Sequence, residues 1–272
     1  MVLVAALSGV LGLAIGSFLN VVIHRVPAGL SVVRPRSACP TCRSPIRSRD
    51  NVPVVSWLAL GGRCRDCRTP ISIRYPLVET STGLLFAIVT VWVFRGVVEG
   101  LTAPISAVLQ IAALLYVAAI SVALTMIDLD THRLPDAVVL PSYPILIVLL
   151  AVSSASGGDW GALGRGLIGM VGLASIYLLA AIVVPGGMGM GDVKLAGIIG
   201  LVLAYLGWGP LAVGSFAAFQ LGGTFAIVLV TLRRTDRKGG IPFGPWMVSG
   251  AWVGVFFGTG LWNAYLALIG LA

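Results

Sequence analysis

The stretch LAGIIGLVLAYLGWGPLAVGSFAAFQLGGTFAIVLVTL, residues 195 to 232, runs for 38 residues without an Asp, Glu, Lys or Arg. A membrane-spanning helix needs about 20 apolar residues, so this stretch is long enough for two spans. The glycines and proline of GWGP at 207–210 form a natural break between them. The stretch therefore predicts two consecutive helices inside a bilayer.

The rest of the chain has the same character. Of its 272 residues, 58% are hydrophobic and only 10% are charged, whereas about 25% are charged in a typical soluble domain. Together with residues 76–79, which complete the second span, the charge-free runs predict an all-α polytopic membrane protein with about eight transmembrane helices. The first helix covers residues 1–23, and residues 77–272 supply the other seven. The further charge-free runs are 1–23, 80–94, 101–127, 137–158, 166–191 and 239–272.

One polar loop lies between the first two spans and is long enough to fold by itself. Residues 25–74 hold ten arginines against Asp50 and Asp66, a net charge of +8. We place a small domain at residues 24–76. The net charge of this loop equals the +8 of the whole chain and is not spread over a soluble face, so we expect no nucleic-acid partner. The arginines are expected to bind anionic membrane lipids or to fix the topology.

Basic residues also predict the orientation, because loops rich in Lys and Arg stay in the cytoplasm. With eight spans and the N-terminus outside, sixteen Lys and Arg residues lie inside and only Arg95 and Arg165 lie outside. The loop at 24–76 is then cytoplasmic, and Asp128 and Asp192 fall near the cytoplasmic face. The first span has no charge before it and no convincing cleavage site, so we interpret it as an uncleaved anchor.

The cytoplasmic loop contains all four cysteines of the chain. CPTC at 39–42 and CRDC at 64–67 give the pattern C-x2-C, 21 residues, C-x2-C. This pattern is typical of a zinc ribbon, in which four thiolates bind Zn²⁺ tetrahedrally. We predict a structural zinc ion on Cys39, Cys42, Cys64 and Cys67. Thiol redox chemistry and four unligated thiols are the alternatives.

Acidic residues near a membrane are costly and are functional candidates. Asp128 and Asp130 end a long apolar span, Asp136 is placed to cap the next helix, and Asp192 follows GMGMG. Residues two apart on a helix point about 200° away from each other, so only one of Asp128 and Asp130 can face Asp192. Two such carboxylates are typical of an aspartic protease, in which a dyad shares one proton.

The glycines before Asp192 have two interpretations. Gly189 and Gly191 allow a backbone with positive φ or a close approach to another chain, such as an extended peptide substrate. They are equally typical of small residues that pack membrane helices together.

Several motifs together resemble one family, the type IV prepilin peptidases, which are membrane aspartic proteases of the GxGD type. The G-x-G-D motif is Gly189-Met190-Gly191-Asp192, and the resemblance covers almost the full length of the chain. The motifs are GSFLNVVIHRVP at 16–27, RPRSACPTC at 34–42, DNVPVVSWLALGGRCRDC at 50–67, ISIRYPLVE at 71–79, IDLDTHRLPD at 127–136, GMGMGDVKL at 187–195 and IPFGP at 241–245.

The resemblance implies a specific activity. These enzymes cut the short basic leader from prepilins and pseudopilins at the cytoplasmic side of the bacterial inner membrane. It implies that Asp128 and Asp192 are the catalytic pair. Members with a four-cysteine loop often also methylate the new N-terminus with S-adenosylmethionine; no residue is assigned to that cofactor from the sequence, although Glu79 is an uncompensated acid near the membrane.

Three other functions remain open at this point. The chain could be a peptidase without methyltransferase activity. A proton- or cation-coupled transporter would also contain several spans and buried acids, but the sequence shows no internal repeat and transport does not account for the cysteine loop. A non-catalytic scaffold of a pilus or secretion machine would tolerate the loss of both aspartates.

Overall fold

The computed structural model describes residues 1–100, 102–184, 188–232 and 242–271. Within these residues the chain is helical, and β-structure is limited to two isolated bridges, Ala38 with Pro45 and Arg63 with Pro70. The helices are α1 (Val2–Arg25), α2 (Val55–Ala59), α3 (Arg74–Val98), α4 (Pro104–Thr131), α5 (Asp136–Gly157), α6 (Trp160–Val183), α7 (Met190–Leu206), α8 (Trp208–Thr231) and α9 (Gly244–Leu268).

Seven of these helices are long and apolar enough to cross a membrane: α1, α3, α4, α5, α6, α8 and α9. The predicted class, an all-α polytopic membrane protein, is confirmed. The remaining long helix, α7, has 17 residues, the lower end of the length that spans a bilayer.

The break predicted at GWGP is also confirmed, because α7 ends at Leu206 and α8 begins at Trp208. Gly207 joins them with φ of 149°, a backbone conformation that residues with a side chain rarely adopt.

The basic segment predicted from Arg233, Arg234, Arg237 and Lys238 lies outside the described residues. So do Ile241, the first residue of IPFGP, and Gly187, the first residue of GMGMGDVKL.

The chain divides into two compact units. The first unit comprises Met1–Thr102 and Ile111–Ala123, and the second comprises Ala103–Gln110 and Leu124–Ala272. Helix α4 therefore contributes residues to both.

Helices α1 and α3 pack closely in the first unit because α1 carries small residues on the contact face. A Cβ atom added at Gly12 would lie 2.8 Å from the Cα of Gly83, and one added at Gly16 would lie 2.6 Å from the Cα of Glu79. Close backbone approach at small residues is a common way to pack helices in membranes. A hydroxyl pair supports the same contact, since Thr90 donates a 2.7 Å hydrogen bond to Ser8.

Helix α7 is the most deeply buried long helix of the second unit. Twelve of its seventeen residues are buried, and it contacts α5, α6, α8 and α9. A helix that is apolar all round is expected in such a position. The second unit thus surrounds the segment that begins with the G-x-G-D motif.

Helices α8 and α9 also meet through small residues, which leads to a test of the packing. A Cβ at Gly250 would lie 2.5 Å from the backbone nitrogen of Ala218 and 2.6 Å from the carbonyl oxygen of Gly214. Gly250→Ala is expected to lower the melting temperature of the purified protein in detergent by about 5 °C or more, because the two backbones have to separate.

Gly260→Ala is the matched control on the same helix. A Cβ at Gly260 has no neighbour within 4 Å, so this variant is expected to melt at the wild-type temperature or slightly above it. Equal melting temperatures for the two variants would contradict the close α8–α9 contact.

Candidate active site and metal centre

Asp128 lies in the last turn of α4 and faces the interior of the second unit. Only 4% of Asp128 is exposed, whereas Asp130, two residues later, is exposed. The helix separates the two side chains, as their spacing predicts. It ends directly after them, since His132 adopts a left-handed conformation with φ of 52°. The interior carboxylate of this motif is therefore that of Asp128.

The carboxylate of Asp128 is held by the start of a distant helix. The backbone N–H of Gly244, the first residue of α9, donates a 3.0 Å hydrogen bond to Oδ2 of Asp128. The first N–H groups of a helix have no partner within the helix and favour a negative charge. The sequence pattern IPFGP contained this residue, but its role is visible only when the two segments are placed together.

Asp192 lies in the first turn of α7 and is partly exposed. Its Oδ2 accepts a 3.1 Å hydrogen bond from the N–H of Gly189, so the side chain closes back on the residue that precedes the helix. One oxygen of each aspartate is thus fixed by a backbone N–H. The second oxygen of each accepts no hydrogen bond from the residues that the structure describes.

The two glycines of the G-x-G-D motif differ in what they do. Gly189 has φ of −80° and Gly191 is helical, so positive φ is the wrong explanation for both. Gly191 instead fits the second interpretation, tight packing within the protein, because a Cβ there would lie 3.0 Å from the Cβ of Leu134; the approach of a substrate peptide stays a prediction. The motif is packed tightly against the segment that follows Asp128.

The structure brings the segments that carry the two predicted catalytic carboxylates together in the second unit. Gly191, next to Asp192, packs against Leu134, which follows the helix that ends after Asp128. The ring of Tyr177 lies against that of Phe243, next to Gly244. Tyr177 is 2% exposed, and its ring lies 5.5 Å from that of Phe219 and 6.4 Å from that of Phe243, measured between ring centroids. Sequence reasoning missed Tyr177, since a single tyrosine in an apolar helix gives no signal.

An ion pair connects the segments that carry the two aspartates. Nζ of Lys194, two residues after Asp192, lies 2.7 Å from Oδ1 of Asp136. The expectation that Asp136 caps α5 is wrong: Pro135 occupies the capping position, and Asp136 is the first helical residue. Its side chain binds Lys194 instead. Tyr143 adds a second link, because its hydroxyl donates a 2.6 Å hydrogen bond to the carbonyl of Lys194.

The four cysteines form two knuckles with the same backbone pattern. In the first, the N–H of Cys39 binds the carbonyl of Ser44, and that of Arg43 binds the carbonyl of Cys39; in the second, Cys64, Thr69 and Arg68 repeat both bonds. Arg43 and Arg68 also share a left-handed backbone, with φ of 59° and 62°. Two short segments of similar sequence therefore fold in the same way.

The knuckles bring the four thiols together, and the cluster of Cys39, Cys42, Cys64 and Cys67 can hold a metal ion. All four Sγ atoms lie within 4.8 Å of one another; Cys39 and Cys67 are 3.7 Å apart, and Cys42 and Cys64 are 4.0 Å apart. Four sulfur ligands at about 2.3 Å around a tetrahedral ion are separated by about 3.8 Å. The hydroxyl of Thr69 lowers the pKa of Cys67 to about 6, which favours the thiolate that a metal needs.

Comparisons with known proteins agree with this arrangement. Residues 10–94 match the bacterial peptidase A24 N-terminal domain, and residues 115–227 match the type IV leader peptidase family. These two regions contain the four cysteines and the two aspartates, respectively.

Similar proteins from several bacteria cover nearly the whole chain. Relatives of Stutzerimonas stutzeri and Pseudomonas aeruginosa are each 34% identical, over 94% and 96% of this chain, and a relative of Aeromonas salmonicida is 37% identical over 94%. The matches cover 92% of each of these relatives, and each is described as a prepilin leader peptidase/N-methyltransferase. No solved structure matches the chain. The chain belongs to the type IV leader peptidase family.

Proposed function

We propose that this membrane protein is an aspartic endopeptidase that removes the basic leader from type IV prepilins and pseudopilins, with Asp128 and Asp192 as its catalytic pair. The observation that carries the proposal is the packing of the two segments that bear these acids: Gly191 lies against Leu134, and Lys194 pairs with Asp136. The two acids come from separate helices, and each has one oxygen fixed by a backbone N–H. Such a pair needs no serine, histidine or metal to cut a peptide bond.

The proposed chemistry is that of an aspartic dyad. In the active arrangement the two carboxylates come close enough to share one proton, because two adjacent carboxylates cannot both be ionised. The ionised member takes a proton from a water molecule, whose oxygen attacks the scissile carbonyl carbon. The protonated member gives its proton to the carbonyl oxygen. The acid that took the water proton then gives it to the leaving nitrogen and the C–N bond breaks, while one hydroxyl of the tetrahedral intermediate returns its proton to the other carboxylate as the carbonyl re-forms. The hydrogen bonds from Gly244 and Gly189 hold the two acids in place during these transfers.

We place the reaction at the cytoplasmic face of the bacterial inner membrane, with the N-terminus outside. The support is the charge distribution of the sequence, with sixteen basic residues on one side and two on the other. In this proposal residues 1–23 are the first span, residues 24–76 are a cytoplasmic domain, and residues 77–272 form the peptidase domain. The apolar helix of the substrate enters the membrane between spans, and the arginines of the loop bind anionic lipid head groups.

We further propose that the four cysteines hold a structural Zn²⁺ ion. The thiol distances fit a tetrahedral ion, and a site with four protein ligands leaves no position open for substrate. The second activity proposed is methylation of the new N-terminus with S-adenosylmethionine, supported by the description of the relatives as N-methyltransferases.

The catalytic pair is tested by neutral substitutions of similar shape. Asp128→Asn and Asp192→Asn are each expected to lower the rate of prepilin cleavage by at least about 1,000-fold, because neither amide can exchange the required proton. The measurement is mass spectrometry of a prepilin incubated with the purified enzyme.

Asp130→Asn is the matched control, since Asp130 is exposed on the same turn of α4. It is expected to cut at a rate near that of wild type. Normal cleavage by both Asp128→Asn and Asp192→Asn would exclude the dyad and would favour the transporter or the scaffold hypothesis.

A second test concerns the position of Asp128. A Cβ at Gly244 would lie 2.7 Å from Oδ2 of Asp128, so Gly244→Ala is expected to displace the carboxylate and lower kcat roughly 10- to 100-fold. Gly223→Ala is the control, because a Cβ at Gly223 on α8 has no neighbour within 4 Å. Melting temperatures measured in parallel separate a displaced acid from a destabilised fold. Wild-type kcat in Gly244→Ala would show that the close approach of Gly244 to Asp128 does not set the position of the acid.

The metal is tested by elemental analysis of the purified protein. We expect one zinc ion per chain in the wild type and its loss in Cys67→Ser, because three thiolates and a hydroxyl bind zinc weakly. Loss of the metal is also expected to expose the arginine-rich loop to trypsin. His24→Ala removes another potential zinc ligand that lies outside the cluster and is expected to keep the ion. A full zinc content in Cys67→Ser would contradict the four-thiolate site.

A further inference from the structure

The cytoplasmic loop of the first unit contains a cavity that the peptidase reaction does not use. Its volume is about 400 Å³, within the range of roughly 300–1,000 Å³ in which proteins enclose small organic ligands. Trp57, Tyr75 and Glu79 are among the residues that line it, together with Cys39 and Cys64 of the metal cluster. Every lining residue belongs to the first unit.

Three acids line this cavity, and only one of them has no cation beside it. Asp50 is bound by the guanidinium of Arg65, which lowers the pKa of that carboxyl. Asp66 lies 3.3 Å from the guanidinium of Arg47. Glu79 is 8% exposed and forms no ion pair with any residue of the described ranges. Its negative charge is thus available to a bound ligand.

The backbone around Glu79 is arranged to hold its carboxylate. Oε2 accepts a 2.7 Å hydrogen bond from the N–H of Val54. Val54 has φ of 60° and ψ of −50°, a conformation that is costly for a β-branched residue and typical of functional sites. On the other side, Gly16 of α1 lies so close to Glu79 that a side chain there would meet its Cα. Glu79 is therefore held between a strained residue, Val54, and a closely packed one, Gly16.

The chemistry of the cavity fits an organic cation. A buried carboxylate provides the counter-charge, and Trp57 and Tyr75 line the same cavity; aromatic rings attract cations that carry methyl groups. A metal ion such as Ca²⁺ is a poorer fit, because it needs six or more oxygen ligands and Glu79 is the one acid here without an arginine.

We propose that this cavity is the binding site for S-adenosylmethionine, with Glu79 as the counter-ion of its sulfonium group. This inference rests on the methyltransferase part of the proposed function and is independent of the aspartate pair. A protonated N-terminal amine of the cleaved substrate presents the same kind of charge. The cavity encloses a volume suited to a whole small molecule, which favours the sulfonium compound.

The test compares two ligands that differ by one methyl group and one charge. S-adenosylmethionine carries the sulfonium, whereas S-adenosylhomocysteine is the neutral thioether. Titration calorimetry on the purified full-length protein is expected to show tighter binding of the charged compound to wild type. Glu79→Gln is expected to raise the Kd of S-adenosylmethionine at least about tenfold. The Kd of S-adenosylhomocysteine is expected to change less than about threefold, because only the charged ligand loses its counter-ion.

Two variants accompany this measurement. Glu99→Gln removes an exposed carboxylate just beyond the other end of α3 and is expected to keep the wild-type ratio of the two Kd values. Trp57→Leu keeps an apolar wall but removes the aromatic face, and it is expected to lower the preference for the charged compound. Prepilin cleavage by each variant reports whether the fold is intact, and cleavage-competent Trp57→Leu tests the site even where Glu79→Gln does not fold.

The outcomes separate the proposals. An unchanged ratio of Kd values in folded Glu79→Gln, or in folded Trp57→Leu, would overturn the site. Reduced binding of a leaderless pilin peptide with unchanged binding of S-adenosylmethionine would assign the cavity to the amine instead and overturn the sulfonium assignment. If S-adenosylmethionine does not bind to wild type, both the proposed methyltransferase activity and this binding site are contradicted. Normal leader cleavage in the same preparation would still support the proposed peptidase.

Discussion

The hydrogen bond from the Gly244 N–H to Asp128 is the constraint on which the geometry of the candidate active site depends. It joins residues 116 positions apart in the chain and fixes a buried acid against the beginning of a helix. Two features make it possible. Gly244 has no side chain, so the helix start can reach the carboxylate, and Asp128 is on the interior face of its own helix. An acid in an apolar environment needs such a donor, because an unpaired buried carboxylate is very costly.

Two other acids, Asp192 and Glu79, are also held by a backbone donor, but the donor comes from a different place in each case. Asp192 is held by a donor only three residues away, at the start of its own helix. Glu79 is held by a strained valine from a different segment of the first unit. In all three cases the donor is a backbone N–H and not a positively charged side chain. Each acid is therefore held in position without a salt bridge to a cationic side chain of the described residues, and it stays able to exchange a proton or to face a charged ligand.

Much of the fold could be predicted from the sequence, because length and apolarity alone identify spanning helices. The break at 207–210 and the separation of Asp128 from Asp130 followed from glycine, proline and helical periodicity. The donors Gly244 and Val54 and the neighbour Tyr177 could not be predicted, because they depend on which distant segments meet. Asp136 shows a related limit: an acid at a helix start is typical of a cap, but its ion pair with Lys194 is a tertiary interaction that the local pattern does not contain. The orientation in the membrane and the catalytic roles remain predictions.

The short, buried helix α7 has a consequence for how the protein is made. Its first turns carry Asp192 and Lys194, and its length is marginal for a bilayer. Its apolar surface is covered by neighbouring helices rather than by lipid, and only Gly207 separates it from α8. Such a segment gains little by entering the membrane alone. During synthesis α7 and α8 are best inserted together, as a hairpin, so that Asp192 reaches its place only when later parts of the chain have emerged from the ribosome.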